Sequence, residues 1–217
     1  MAKSEETRRL VADTALRLFR ERGYEATTMR LIASEAGVAT GNAYYYFPSK
    51  DALVQELYRR VQVEHREAVA DRLPLGGTFE QRLRGVLHAG LGVMAPFRSF
   101  GATFVSTAIR PGDAASPFSE ASTESRDLAV GLFADVVAGS DPPVRTPLLE
   151  ELPVLLWLLW LGTTLFWLYD DSPGAARTHR LVDGVCPLVA RLVRLSRLPV
   201  LRGTVADVLA LLHEARA

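Results

Sequence analysis

With 217 residues, 48% of them hydrophobic, the chain can bury one large core or two modest ones. Its formal charge is zero, from 25 basic and 25 acidic side chains, which excludes the strongly basic class of polyanion binders and leaves any nucleic-acid contact to a few well-placed groups. A single cysteine, Cys186, excludes an intrachain disulfide and fits a reducing compartment; the N-terminus shows no apolar signal-peptide core, so a cytoplasmic location is expected.

The apolar periodicity is helical from end to end. Leu10, Val11, Ala15, Leu18 and Phe19 recur at spacings of three and four, predicting a helix over about 5–22 that Gly23 closes. Thr27 or Thr28 can cap the next helix through a hydroxyl, with Leu31, Ile32 and Ala36 facing inward and Gly37 ending it. In the third helix Val38 and Ala43 face inward, which leaves Thr40, Gly41, Asn42, Tyr45 and Tyr46 outside. Pro48 stops that helix. Ser49 can cap a fourth, from Lys50 to about Arg72, striped by Leu53, Leu57, Val61 and Val63. Pro74-Leu75-Gly76-Gly77 reads as a hinge between an N-terminal domain over 1–50, with a linking helix over about 50–72, and a second domain over 73–217. Further helices are predicted over about 78–95, 98–110, 119–139, 148–170, 174–197 and 203–215, with the run from Asp113 to Ser125 as an exposed loop. No strand alternation or repeat is present, so the expected fold is all-α.

A short helix, a Gly-containing turn and a second short helix over Thr27–Phe47 form the layout of a helix-turn-helix, in which the second helix enters the DNA major groove. The first fifty residues carry eight basic and six acidic side chains, so binding would rest on few contacts per subunit, in a dimer. Arg can hold guanine and Asn adenine bidentately, while tyrosine hydroxyls and a lysine ammonium suit phosphates. On the residues alone, Tyr44 serves packing as readily as contact. Lys50 stands out as one of only two lysines in a chain that otherwise uses arginine.

These residues resemble the DNA-binding domain of the TetR (tetracycline-repressor-like) family of bacterial transcriptional regulators. The matching pattern is Ala15-x-x-Leu18-Phe19, Gly23-Tyr24, Thr27-Thr28-x-x-x-Ile32-Ala33-x-x-Ala36-Gly37-Val38 and Gly41-x-x-Tyr44-x-Tyr46-Phe47-x-x-Lys50-x-x-Leu53. It covers about a quarter of the chain. The resemblance implies an N-terminal three-helix helix-turn-helix domain and a C-terminal helical ligand-binding and dimerisation domain. It further implies a homodimeric repressor that releases a palindromic operator when a small molecule binds. Residue by residue, it implies phosphate binding by Thr28, base reading by Arg30, Thr40, Gly41 and Asn42, and a backbone clamp of Tyr44, Tyr45, Tyr46 and Lys50. Many members have a basic residue where this chain has Thr40. The uncharged third helix therefore points to readout that is partly apolar or shape-based.

The run from Leu152 to Tyr169 holds no charge, a length that suits a membrane span. Acidic flanks (Glu150-Glu151 and Asp170-Asp171), Pro153 and the lack of a second such segment argue instead for burial between a core and a partner subunit. In the resembling family the last two long helices pair with their dimer mates, here about 148–170 and 174–197. Cys186, Leu188, Val189, Leu192, Val193 and Leu195 would supply buried surface, and Arg180, Arg191, Arg194 and Arg197 a solvated rim. An effector cavity would draw on Phe100, Phe104, Trp160 and Trp167, oriented by Thr107 and Thr164, with Phe97, Trp157, Phe166, Tyr169 and His88 as further supply; this wall suits a small hydrophobic effector. The chain lacks a nucleophile elbow, a phosphate-cradling loop and metal-ligand spacing, and its four histidines are dispersed, so neither enzyme activity, cofactor nor metal is expected. The competing class is a helical protein-interaction scaffold or small-molecule binder with no DNA role.

Overall fold

A computed structural model describes residues 2–70, 76–98, 101 and 114–214. Among these every regular element is helical. The helices are α1 (Ala2–Arg22), α2 (Met29–Glu35), α3 (Thr40–Tyr46), α4 (Lys50–Ala70), α5 (Phe79–Met94), α6 (Thr123–Ala138), α7 (Leu152–Leu168), α8 (Ala176–Leu195) and α9 (Arg202–Glu214). The helix expected over 98–110 lies mostly outside the described residues.

The chain divides into two compact units, one of residues 1–64 and 93–128 and the other of 65–92 and 129–217. In the first, Val11, Ala12, Ala15, Leu18 and Phe19 of α1 pack with Ile32 and Ala33 of α2, Ala43 of α3 and Leu53, Val54 and Leu57 of α4. Leu10 and Val63, expected on inward faces, are exposed, while Ala12 and Val54 join the buried stripes. Ala115 is fully buried in the same core, so the 113–125 segment is not an exposed loop throughout. Its backbone is tied to α4: Tyr58 Oη donates to the Ala115 carbonyl (2.8 Å) and Gln55 Nε2 to that of Ala114 (2.7 Å).

In the second unit, a reciprocal capping box opens α5. The Thr78 amide donates to Gln81 Oε1 (3.0 Å) and the Gln81 amide to Thr78 Oγ1 (3.3 Å). Arg82, buried, donates to the carbonyls of Asp135 and Val136 at the end of α6. α7 has Pro153 in its first turn, where the missing N–H costs nothing, and buries Trp157, Trp160 and Trp167. At 17 residues it is too short for a span, and no helix among the described residues is long and apolar enough to cross a membrane. Asp170, one of the expected acidic flanks, is instead buried: its carboxylate takes the amide and hydroxyl of both Ser172 and Thr178 at the turn into α8. Those bonds outweigh burial and hold it below the ordinary carboxylate range.

Gly90 lies against the buried rings of His65 and Trp160. A Cβ there would stand 2.7 Å from both His65 Cε1 and Trp160 Cη2. Neither ring can retreat freely, since His65 Nε2 donates to the Val86 carbonyl (2.8 Å) and its ring packs at a tilt against that of Trp160, 5.5 Å between centroids. Gly90→Ala is therefore expected to destabilise the chain by about 1–3 kcal/mol from overpacking, against a helix-propensity gain of up to about 1 kcal/mol. Urea denaturation measures the balance.

Candidate nucleic-acid interface

The α2–α3 pair is built by short-range chemistry. Gly23 adopts φ +81°, a left-handed conformation open to glycine, and its amide returns to the Phe19 carbonyl (3.0 Å) to end α1. Thr27 is buried and bonds the Gly23 carbonyl through its hydroxyl (2.8 Å), so Thr28 alone caps α2, accepting from the Leu31 amide (3.1 Å). Gly37, at φ +66°, turns the chain out of α2.

α3 is a seven-residue helix anchored by Ala43, with Val38 and Tyr46 partly buried beside it. Burying that one face turns the opposite face outward. Arg30, Thr40, Gly41 and Asn42 are all exposed, and a Cβ on Gly41 would meet nothing within 4 Å. Tyr44 is 50% and Tyr45 80% exposed, which settles Tyr44 as a surface residue in this chain. Tyr46 hydrogen-bonds Ser4 of α1 (3.3 Å) and meets Tyr45 edge-on at 5.1 Å. The structure thus brings Thr28, Arg30, Thr40, Gly41, Asn42, Tyr44, Tyr45 and Tyr46 onto α2 and α3. Lys50, at the start of α4, points its ammonium at Tyr24: Nζ donates to the Tyr24 carbonyl (2.9 Å) and stands 4.1 Å from the ring centroid.

The sequence reading missed the group that fixes α3. Phe47, its buried C-cap, lies under the Arg8 guanidinium (5.0 Å to the centroid). Arg8 also donates to Glu56 of α4 (2.8 Å), as do Arg59 and Arg60 (both 2.9 Å), and Arg60 reaches back to Asp13 of α1. Glu56 is 4% exposed. Burial raises its pKa, but the three guanidiniums outweigh that and hold it at about 2. The i, i+3 and i, i+4 spacing of Arg59 and Arg60 from Glu56 was legible; the approach of Arg8 was not. Ser49 caps α4 as expected, accepting from the Ala52 amide (3.2 Å).

Of the effector candidates, Trp160 and Trp167 are buried in the second unit, and Thr164 Oγ1 is buried with no hydrogen-bond partner among the described residues. Phe100, Phe104 and Thr107 lie outside the described residues. Phe166 and Tyr169 are exposed, and Phe97 belongs to the first unit, beneath Arg20. Among the described residues no group of three or more His, Cys, Asp or Glu could hold a metal ion. Cys186 is buried, which pushes its thiol up to about 12 and leaves it unreactive.

Comparison with known proteins gives a consistent picture. Residues 11–57 match the family described as bacterial regulatory proteins, tetR family, and residues 82–211 that described as tetracyclin repressor-like, C-terminal domain. The HTH-type transcriptional repressor KstR2 of Rhodococcus jostii (strain RHA1) is 42% identical over 72 residues, 31% of this chain and 35% of that protein. For the HTH-type transcriptional repressor KstR of Mycolicibacterium smegmatis the identity is 43% over 79 residues, 36% and 38% of the two chains. The matched stretches thus span little more than a third of these curated relatives. Thermus thermophilus FadR, solved in complex with lauroyl-CoA, shares the fold with a TM-score of 0.65 at 22% identity, over 88% of this chain and 95% of that one.

Proposed function

Because the chain belongs to the TetR family of bacterial regulatory proteins, we propose that it is a ligand-responsive repressor that holds a palindromic operator as a homodimer and leaves it when a small hydrophobic effector binds. The observation that carries this reading is the outward face of α3, left free and uncharged by the burial of Ala43. Thr28 offers a hydroxyl and the start of α2 to a phosphate; Arg30, Thr40, Gly41 and Asn42 read base edges; Tyr44, Tyr45 and Tyr46 hold the backbone and set register.

The homodimer is supported by an apolar surface that one chain leaves uncovered. On α8, Val182, Cys186, Ala190 and Val193 face the chain's own core, while Leu181, Leu188, Leu192 and Leu195 are exposed. Leu158, Leu165 and Phe166 are exposed on α7. A second copy covers these two helices, with Arg180, Arg191, Arg194 and Arg197 at the rim. The effector site lies in the helical domain and draws on Trp160, Thr164 and Trp167. The unpartnered Thr164 hydroxyl is the group that orients a ligand there. The bound lauroyl-CoA of Thermus thermophilus FadR fits an effector with an apolar body.

Footprinting upstream of the protein's own gene is expected to reveal a protected palindrome with half-site centres one helical turn or more apart, since a two-fold dimer presents two recognition helices to one DNA face. Affinity for that fragment should fall steeply with salt. A slope of log affinity on log salt near zero, or a single asymmetric half-site, would rule the reading out and favour a helical scaffold.

A further inference from the structure

His88 and His179 meet in a chain of hydrogen bonds that the operator reading leaves unused. Arg84 and His88 lie one turn apart on α5, and His179 and Asp183 one turn apart on α8, so each pair shares a helix face. His88 Nε2 stands 2.9 Å from Asp183 Oδ1, and His88 Nδ1 stands 2.9 Å from His179 Nδ1. The two rings are nearly parallel (12°), with centroids 5.1 Å apart. That separation is close to the N···N distance plus two ring radii, so the rings meet edge to edge along the hydrogen bond rather than face to face.

A carboxylate only accepts, so His88 Nε2 carries a hydrogen. Between the two facing Nδ1 atoms there is room for one more. When His179 supplies it, both rings are neutral; when His88 supplies it, His88 is an imidazolium and His179 Nδ1 accepts. Either arrangement keeps the chain intact. A second positive charge sets two N–H groups against each other and breaks it. The neighbouring charges set the same limit. Arg84 pairs with Glu80 (2.8 Å) and stands 3.5 Å from Asp183, whose carboxylate then balances a single imidazolium. The His88 hydrogen bond is also the largest influence holding the Asp183 pKa down. α7, packed on α8, carries no charge. Asp170, at the turn before α8, is taken up by Ser172 and Thr178, the buried Cys186 thiol stays protonated, and Arg180 beside His179 is exposed.

We propose that the His88–His179 pair is a proton-operated joint between α5 and α8: with at most one charge it ties the two helices together, and a second proton opens it and loosens α8. Imidazole is the side chain whose charge changes between about pH 5 and 8, so the joint opens on mild acidification. Its consequence rests on the homodimer reading above. α8 carries Leu181, Leu188, Leu192 and Leu195 on the face that a second copy covers, so loosening this helix weakens the dimer and, with it, the hold on a palindromic operator.

The experiment compares the full wild-type chain with His179→Asn from about pH 8 to about pH 5. Asparagine keeps an N–H close to the place of Nδ1 but takes up no proton. Sedimentation measures dimer dissociation, hydrogen exchange the protection factors of the Val182 and Cys186 amides, and NMR the ring nitrogens of His88 and His179. For the wild type, acidification is expected to raise the dimer dissociation constant about tenfold or more and to lower both protection factors in the same pH window. The ring nitrogens should show the pair taking up its two protons in separate steps. In His179→Asn the dissociation constant and the protection factors are expected to stay flat. His65 and His213 remain in that variant, so an acid dependence that persists there overturns the inference. So do two histidines that titrate independently, protection factors that ignore pH, or a wild-type dimer whose dissociation constant ignores it. If His179→Asn does not fold, the wild-type ring nitrogens and protection factors decide by the same criteria. A chain that is monomeric at every pH removes the homodimer reading alone, because exchange and ring nitrogens still report whether the joint opens.

Discussion

Glu56→Ala destabilises the N-terminal unit by about 3–5 kcal/mol and abolishes operator binding at moderate temperature, even though Glu56 is itself buried on α4. The substitution leaves Arg8, Arg59 and Arg60 converging on an apolar methyl. Three charge-assisted hydrogen bonds to one carboxylate are lost together, each worth about 1.5–3 kcal/mol; partial rehydration of the half-exposed Arg8 and Arg59, and the Asp13 partner that Arg60 keeps, hold the total to the stated range. Arg8 also covers Phe47, so its release loosens the residue that ends α3. Urea unfolding gives the loss of stability, and circular dichroism at low temperature separates a destabilised fold from an absent one. Acid acts on the same carboxyl. With a folded value of about 2 against 4.5, Glu56 contributes stability that is fully present above the unfolded value and is lost as pH falls from about 4.5 through about 2. The contribution is on the order of 3 kcal/mol. The stability gap between wild type and Glu56→Gln should therefore narrow below about pH 4.5 and close as pH falls through about 2; a gap that stays constant would contradict the charge argument.

Asn42→Ala weakens operator binding by about 2–6 kcal/mol, roughly 30-fold at the least, with the fold unchanged. The size follows from symmetry. A bidentate amide–adenine pair is worth about 1–3 kcal/mol of discrimination, and the proposed two-fold dimer would lose it twice. The Asn42 side chain is exposed on α3, so thermal stability should not change. Binding to variant operators distinguishes base reading from general weakening. The variant should lose preference at one symmetric pair of base positions and keep the wild-type salt slope. Equal weakening on every sequence, with a shallower slope, would make Asn42 a backbone contact instead.

Much of the fold was legible because helices are written locally. The i, i+3, i+4 recurrence of Val11, Ala15, Leu18 and Phe19, the glycines at 23 and 37, and the caps Thr28 and Ser49 each act within one turn of chain. The observed helices accordingly start and stop within a few residues of the predicted ones. The outward face of α3 was legible for the same reason, since burying Ala43 in a seven-residue helix dictates which side is left. Where the stripe was misjudged, at Leu10 and Val63, the periodicity and phase were right and its width wrong: only packing against neighbouring helices decides how far round the helix burial extends.

What the sequence by itself determined, then, is the all-helical character, the helix-turn-helix and the surface it turns outward, because these follow from spacing and steric rules a few residues long. Tertiary structure alone decided which distant groups meet. Arg8 reaches Glu56 across 48 residues, Lys50 reaches Tyr24 across 26, and Ala115 enters a core otherwise built from residues 11–57. His88 meets His179 and Asp183, both at 2.9 Å, although the four histidines lie far apart along the chain. A hydrophobic pattern specifies that a face is buried and is silent on what buries it; charge and hydrogen-bond partners across tens of residues are chosen by how the helices pack, and that choice made Lys50 a neighbour of Tyr24.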